Sequence, residues 1–400
     1  MTATATTTTV TVPRSEIARG LKAGSSIKAK AVRFDLSGEH VAIYAFSSEV
    51  ATRITLDAAG NPGAGAVSVP RPLIAGVMPY IGHDIVLSIA DEHLIVRSGD
   101  SEFQIRALRE DPPPAESAPS NRHRRRSFNP SPAAITATFG HDLGLDGETF
   151  TESFAFDAPV LVETFRRALP FAGTDMTRPL LCNVAVYPDA NVAAATDSYR
   201  LAVVRYGDES SKPEKDPLLF NTEGAKSMHA LLGKKLGTVT VAPIDRFLII
   251  DFEDTRWSLR RQMPYGDDES VRYPQWWDLI PDADAKVTTT IKVDREDMLA
   301  ASRSARVVGS RNTPLILRAH AKGASVAANA LTAAKMTRRL SSAGVIGSDM
   351  EIGFNPEFMA DICTSAPVER IAVKLIGPLR PALVEVARDQ YLLMPIRLNV

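Results

Sequence analysis

The chain has 400 residues, 44% hydrophobic and 23% charged, which is more than one ordinary core needs and predicts two or three soluble domains. With 46 basic and 47 acidic residues, the net charge of -1 excludes a globally basic nucleic-acid binder but not a basic face balanced by an acidic one. Two cysteines, Cys182 and Cys363, cannot build a disulfide framework, and a reducing cytoplasmic setting is the simple reading.

The first ten residues, MTATATTTTV, have no charged and apolar succession of a signal peptide and read as a polar tail. No apolar run reaches the roughly 18 residues that a membrane helix requires. A first helix is expected near 14–23. Residues 30–56 then read as a meander of short β-branched strands, 70–79 as a helix, and 85–108 as three strands separated by polar turns. Residues 109–133 are rich in proline, serine and charge, and read as an exposed linker in which Arg122, Arg124, Arg125 and Arg126 cluster.

The same order then returns twice. Asp157 can cap a helix through Leu169, with Pro159 tolerated in its first turn. A meander follows at 179–206, a helix near 222–234 and three strands at 239–263. Asp294 can cap a helix with Met298, Leu299, Ser302 and Ala305 on one face. A third meander lies at 313–340, and Asn355 before Pro356 is a good start for another helix. Strands at 371–396 end the chain. A unit of helix, strands, helix, strands used three times predicts an α+β fold of three repeated domains. Their expected spans are 10–148 (the last part, about 109–148, being insert or linker), 149–286 and 287–400.

Motifs for catalysis are missing. The seven histidines form no HxxxH or HExxH pair, the cysteines have no CxxC partner, and there is no GxxxxGK[ST] loop or GxSxG elbow. Binding is therefore favoured over chemistry, with neither cofactor nor metal expected.

Four segments resemble the bacterial DNA polymerase III beta subunit, the beta sliding clamp. They are Arg178-Pro-Leu-Leu181 with Ala195-Thr-Asp-Ser-Tyr-Arg-Leu-Ala-Val203, then Tyr273-Pro-Gln-Trp-Trp-Asp-Leu-Ile-Pro281, Met350-Glu-Ile-Gly-Phe-Asn-Pro-Glu-Phe358 and Tyr391-Leu-Leu-Met-Pro-Ile-Arg-Leu398. Val96-Arg-Ser-Gly99 with Phe103 adds a weaker match. The resemblance implies three clamp domains per chain, with helices lining a channel and antiparallel sheets outside. It implies a head-to-tail homodimer that encircles duplex DNA without reading its sequence. Such a ring tethers a DNA polymerase, confers processivity, has no active site and needs a separate clamp loader.

The resemblance also implies three sets of site residues. A partner-peptide pocket would comprise Leu181, Thr196, Ser198, Tyr199, Arg200, Leu201, Pro274, Leu279, Asn355, Phe358, Leu379, Pro381, Leu392, Leu393, Met394, Pro395, Ile396, Arg397 and Leu398. Leucine, methionine and proline would give it an adaptable apolar floor, and Asn355 would help set peptide direction. The DNA channel would use Arg14, Arg19, Lys22, Arg166, Arg167, Lys226, Lys234, Lys235, Arg303, Arg306 and Arg311. From residue 287 onward there are 15 basic and 10 acidic residues, which agrees with a basic channel. The dimer seam would join Phe103 and Ile105 to Val307 and Val308.

The chain departs from the family at Ser198-Tyr199, where Gly-His or a similar pair is usual, at Asp278, at the bulky Trp276-Trp277, and in its two extra residues, Asn399 and Val400. Such divergence suits a phage-encoded or accessory clamp. Two other readings stay open. One is a clamp-fold scaffold or decoy that binds peptides without encircling DNA. The other is a motif-poor β-rich hydrolase.

Overall fold

The computed structural model describes residues 8–36, 41–60, 65–108, 152–207, 210–244, 247–260, 272–281, 287–308, 313–329 and 334–398. Arg311 and the Arg122–Arg126 cluster lie outside them. The chain forms two compact units, each from two stretches: Met1–Pro159 with Lys226–Arg261, and Val160–Ala225 with Gln262–Val400.

Six α-helices occur among the described residues: α1 (Arg14–Ser26), α2 (Arg71–Val77), α3 (Ala158–Ala168), α4 (Thr222–Leu232), α5 (Arg295–Val308) and α6 (Pro356–Ser365). The predicted stripe on α5 is buried as Met298, Leu299, Ser302 and Ala305, joined by Ala301. Asn355 is the N-cap of α6, its side chain accepting from Glu357 N at 2.9 Å. In α1, a Cβ on Gly20 would fall 2.6 Å from Ile43 Cδ1, so glycine lets this helix lie close on the sheet beneath it.

All six expected strand groups form antiparallel meanders. In the first unit, one sheet runs Ala59–Gly60, Val10–Pro13, Asp84–Ala90, His93–Ser98, Ser101–Arg106. The other has eight strands: Phe154–Asp157, Thr238–Ile244, Phe247–Phe252, Thr255–Arg260, Val50–Thr55, Ala42–Phe46, Ala31–Asp35, Ala66–Pro70. Two meanders from distant parts of the chain thus fuse through their third strands, Trp257 opposite Thr52.

The second unit repeats that joint. Its nine-stranded sheet runs Leu218–Asn221, Asn183–Tyr187, Val192–Thr196, Arg200–Arg205, Asp389–Leu393, Ala382–Val386, Arg370–Leu375, Thr289–Asp294, Gly344–Gly347. Here too third strand meets third strand, with Tyr391 opposite Ala202. A four-stranded sheet of Lys335–Leu340, Gly323–Asn329, Leu315–His320 and Met350–Phe354 completes the unit. Pairing between repeats lets each sheet grow wide enough to bury one face, which a single three-stranded meander does poorly.

Candidate partner-peptide pocket and basic helix faces

The implied pocket residues all belong to the second unit. Their frame is the joint between Arg200–Arg205 and Asp389–Leu393, where Leu201 faces Leu392 and Arg200 faces Leu393. Leu201, Leu392 and Leu393 are buried and form the floor. Leu201 and Leu392 share a core with Tyr187, Tyr273, Trp276 and Leu383, against which Trp277 and Ile280 pack. The tail beyond Leu393 continues along this frame. Met394 N donates to Tyr199 O at 2.9 Å and Ile396 N to Gly353 O at 2.8 Å. A Cβ on Gly353 would stand 2.7 Å from Leu398 Cδ2 and 2.8 Å from Ile396 O, so only glycine lets the tail settle there.

In the same unit, several large apolar groups stay in solvent. Tyr199 is 63% exposed, Leu279 58%, Leu379 62% and Met394 46%. Tyr199 owes its presentation to a tight turn. Asp197 Oδ1 accepts from Tyr199 N and Arg200 N, Thr196 Oγ1 accepts from Ser198 N, and Ser198 takes a left-handed φ of 77°. Ser198 Oγ also accepts from Arg178 Nη1 at 3.1 Å, which ties the Arg178-Pro segment to the turn. Leu181 joins it from the other side, its carbonyl accepting from Gly173 N at 2.7 Å.

Arg200 is not a free pocket cation. Nε binds Asp197 at 2.9 Å, Nη1 binds Asp361 at 2.5 Å and Nη2 donates to Pro170 O at 2.6 Å. Its guanidinium lies 4.1 Å from the Phe358 ring centroid and 5.2 Å from that of Phe171. Asn355 likewise spends its side-chain oxygen on capping α6. Both side chains are committed to the chain's own groups. Pro274, Pro381, Pro395 and Arg397 are at least partly exposed.

The basic residues divide into two groups. Arg14 donates to Ile81 O, and Arg19 binds Glu16, Asp254 and Thr55 O. Arg166 pairs with Glu163 and reaches the carbonyls of Thr364 and Ser365. Arg167, only 11% exposed, is held by Asp389 at 2.7 Å. Burial pushes the Asp389 carboxyl up, against the pull of Arg167 and the Arg205 N–H. Lys235 pairs with Glu253 and caps the Phe252 ring, and Arg306 lies 3.7 Å from Glu357. Lys22, Lys226, Lys234 and Arg303 are exposed and form no salt bridge among the described residues.

A family model for the DNA polymerase III beta subunit, C-terminal domain, matches residues 278–397. Over 261 residues the chain is 24% identical to the beta sliding clamp of Synechococcus elongatus, covering 62% of this chain and 66% of that protein. It is 23% identical over 270 residues to that of Bacillus subtilis, covering 64% and 69%. The structure superposes on the DNA polymerase III beta subunit of Thermotoga maritima with TM-score 0.76 and 18% identity, over 98% of this chain and 100% of that one. Residues 278–397 thus match the DNA polymerase III beta subunit family, and the chain as a whole has the sliding clamp fold.

Within this clamp fold, sequence reasoning missed several groups around the pocket. Phe171 and Asp361 hold Arg200, Gly353 seats the tail, and Met176, 60% exposed, stands on the loop before Arg178. Only Gly353 had a local signal, its place in the Met350–Phe358 motif. Phe171 and Asp361 act on Arg200 from 29 and 161 residues away in the chain.

Proposed function

We propose that the chain is a ring-forming clamp that encircles duplex DNA as a head-to-tail homodimer and tethers a DNA polymerase through a peptide docked on the Tyr199–Met394 face. The observation that carries the docking reading is that Tyr199 and Met394, joined by a backbone hydrogen bond at the end of the buried Leu201–Leu392 strand joint, are both exposed, as are Leu279 and Leu379 in the same unit. A soluble chain keeps such groups in water where a partner covers them. An extended peptide with apolar anchors fits such a face.

Each chain would contribute three domains, 10–148, 149–286 and 287–400. The DNA-facing cations would be Lys22, Lys226, Lys234 and Arg303 first, with the paired arginines shaping the field behind them. Phe103 and Ile105 would meet the region of Val307 and Val308 across the seam. Val307 is 86% exposed, as the reading requires, whereas Ile105 is buried within its own unit. Leu73 (57%) and Tyr80 (74%), exposed on and just after α2, would join the same contact. Loading would need an ATP-driven loader, and the site of action would be the cytoplasm. Among the described residues no helix is long and apolar enough to cross a membrane.

The deciding experiment loads the protein onto nicked circular DNA with its loader, washes in high salt and linearises the circle. A ring survives the wash and slides off the ends. Salt-sensitive binding to both forms means contact without encirclement, because phosphate contacts weaken steeply with ionic strength. Absence of binding beside a second clamp that loads would favour the peptide-binding scaffold instead.

A further inference from the structure

Among the described residues, seven other than glycine have a positive φ, and six of these lie between 48° and 58°, near the ordinary left-handed value. Ser198 stands apart at 77°, where glycine is the usual residue. A side chain there is strained, and such strain persists only where the surroundings fix the backbone. They do so here. Ser198 N donates to Thr196 Oγ1 at 3.1 Å, and Tyr199 N and Arg200 N donate to Asp197 Oδ1 at 3.0 and 3.1 Å. Thr196 Oγ1 in turn donates to Arg200 O at 2.7 Å. None of these bonds uses the serine side chain, so glycine would suit the turn better. What the serine adds is its hydroxyl, which accepts from Arg178 Nη1 at 3.1 Å.

Arg178 is fixed at its base as well. Its N–H donates to Asp175 O at 3.0 Å, its carbonyl accepts from Leu181 N at 3.0 Å, and Pro179 restricts its backbone. At the tip, the serine holds Nη1. The Nε–Nη2 edge of this exposed guanidinium has no hydrogen-bond partner among the described residues. Two acids lie close by. Asp197, in the turn itself, is spent on Arg200 Nε at 2.9 Å. Asp175 Oδ1 accepts from Thr177 N and Oγ1 at 3.0 and 2.8 Å, and these bonds, helped by the charge of Arg178, hold its carboxyl below the ordinary range. Asp175 forms no salt bridge with Arg178 among the described residues. A free edge of the guanidinium fork matches a carboxylate, which it grips through two parallel N–H bonds.

We propose, on the docking reading above, that Ser198 is a positioning residue. Its hydroxyl holds the Arg178 fork beside exposed Tyr199 and Met394, so this face prefers peptides that carry a carboxylate next to an apolar anchor. The placement follows from the chain itself. Ser198 directly precedes Tyr199, whose carbonyl accepts from Met394 N at 2.9 Å. Tyr199 is 63% exposed and Met394 46%, and Met176, two residues before Arg178, is 60% exposed. The apolar groups supply affinity through the area they bury, and the arginine supplies the choice among apolar peptides. An Asp or Glu side chain and a peptide's own C-terminus present the same pair of oxygens, and the test separates them. The strained serine is kept at a cost in stability because glycine cannot hold the arginine.

The test is fluorescence anisotropy on the full chain with short amide-capped peptides. Each bears leucine at alternate positions, with Asp, Asn or Lys placed in turn at each position between. For the parent chain, Asp at one position should bind about tenfold tighter than Asn, and Lys more weakly than either. That ratio should shrink as salt is added. A peptide without Asp that gains as much from a free C-terminus would assign the fork to a terminal carboxylate rather than a side chain. Ser198→Gly relieves the strained φ and should keep at least the parent's thermal midpoint. It should nevertheless cut the Asp-to-Asn ratio to about twofold or less, because the fork is released. Ser198→Asn tolerates the left-handed region and still offers an acceptor, so it should restore part of the ratio. A serine that served the turn alone would move the midpoint and leave the ratio unchanged, and that result would overturn the positioning role. Equal binding of the Asp and Asn peptides to the parent would overturn the selection while docking stands. If no peptide of the set bound the parent, docking and selection would fall together.

Discussion

Arg200 shows how a residue placed by motif can be committed to contacts that the motif does not state. The segment Ala195–Val203 marks it as a pocket residue, but two carboxylates, one carbonyl and two aromatic faces consume its guanidinium. It works as a keystone that fixes Phe358 and the 197–200 turn, and through that turn Tyr199. Lysine offers a point charge without the planar fork. Arg200→Lys should therefore destabilise the fold by about 2–3 kcal/mol, because it leaves Asp197 or Asp361 poorly paired. A lowered urea midpoint together with weakened binding of a leucine-rich probe peptide would establish this. An unchanged midpoint would show that the cluster is merely adjacent. Asp297 is a second keystone. Burial alone would raise its carboxyl, yet hydrogen bonds from Ser342 N and Oγ, Arg338 and Ser341 outweigh that and hold it below the ordinary carboxylate range. A lowered folded pKa contributes stability above the unfolded value, near ~4, and that contribution is lost as acid protonates the folded carboxylate. Asp297→Asn should thus cost about 1–2 kcal/mol at neutral pH. The gap to the parent chain should close below about pH 4 in urea titrations. A gap independent of pH would assign the effect to packing.

At the scale of elements, local chemistry was legible and long-range pairing was not. Alternating β-branched residues between polar turns marked all six meanders, and Asn355-Pro356 marked the start of α6, because these signals lie within a few residues of one another. Nothing in 50–55 states that it will meet 255–260, some 200 residues on. Strand pairing of that kind is set by sheet edges that exist only once each meander has formed. The same limit explains the pocket. Its floor strand and tail were readable from the motifs, whereas the Asp361 contact and the seat at Gly353 were not. The helix signal can be tested on its own. Asn355→Ala removes the acceptor for Glu357 N and should lower stability by about 1 kcal/mol, while Asn355→Asp should keep most of it. Thermal melts of the three chains would separate the cap from any wider role, since loss in the Asp variant as well would point to the unused amide nitrogen.

At the scale of the whole molecule, a clamp must separate two kinds of hold. Electrostatic attraction brings duplex DNA to the protein and is screened by salt, with little left beyond a Debye length of ≈ 8 Å at physiological ionic strength. Closure of a ring holds DNA whatever the salt. Both would act in the proposed dimer, but on different residues. Lys22, Lys226, Lys234 and Arg303 are exposed and form no salt bridge among the described residues, so they would supply attraction. The seam between two copies would supply closure. The triple change Lys226→Glu/Lys234→Glu/Arg303→Glu reverses three charges on each of two chains. It should slow capture of DNA at low salt and flatten the dependence of capture on salt concentration, because fewer counterions are released. Once loaded on a closed circle, however, the triple variant should survive a high-salt wash for as long as the parent chain does. Seam variants should show the opposite pattern, with normal initial capture and short retention on circles. If the triple variant instead lost retention while capture stayed normal, these cations would belong to the closure of the ring, and the assignment of the two surfaces would have to be exchanged.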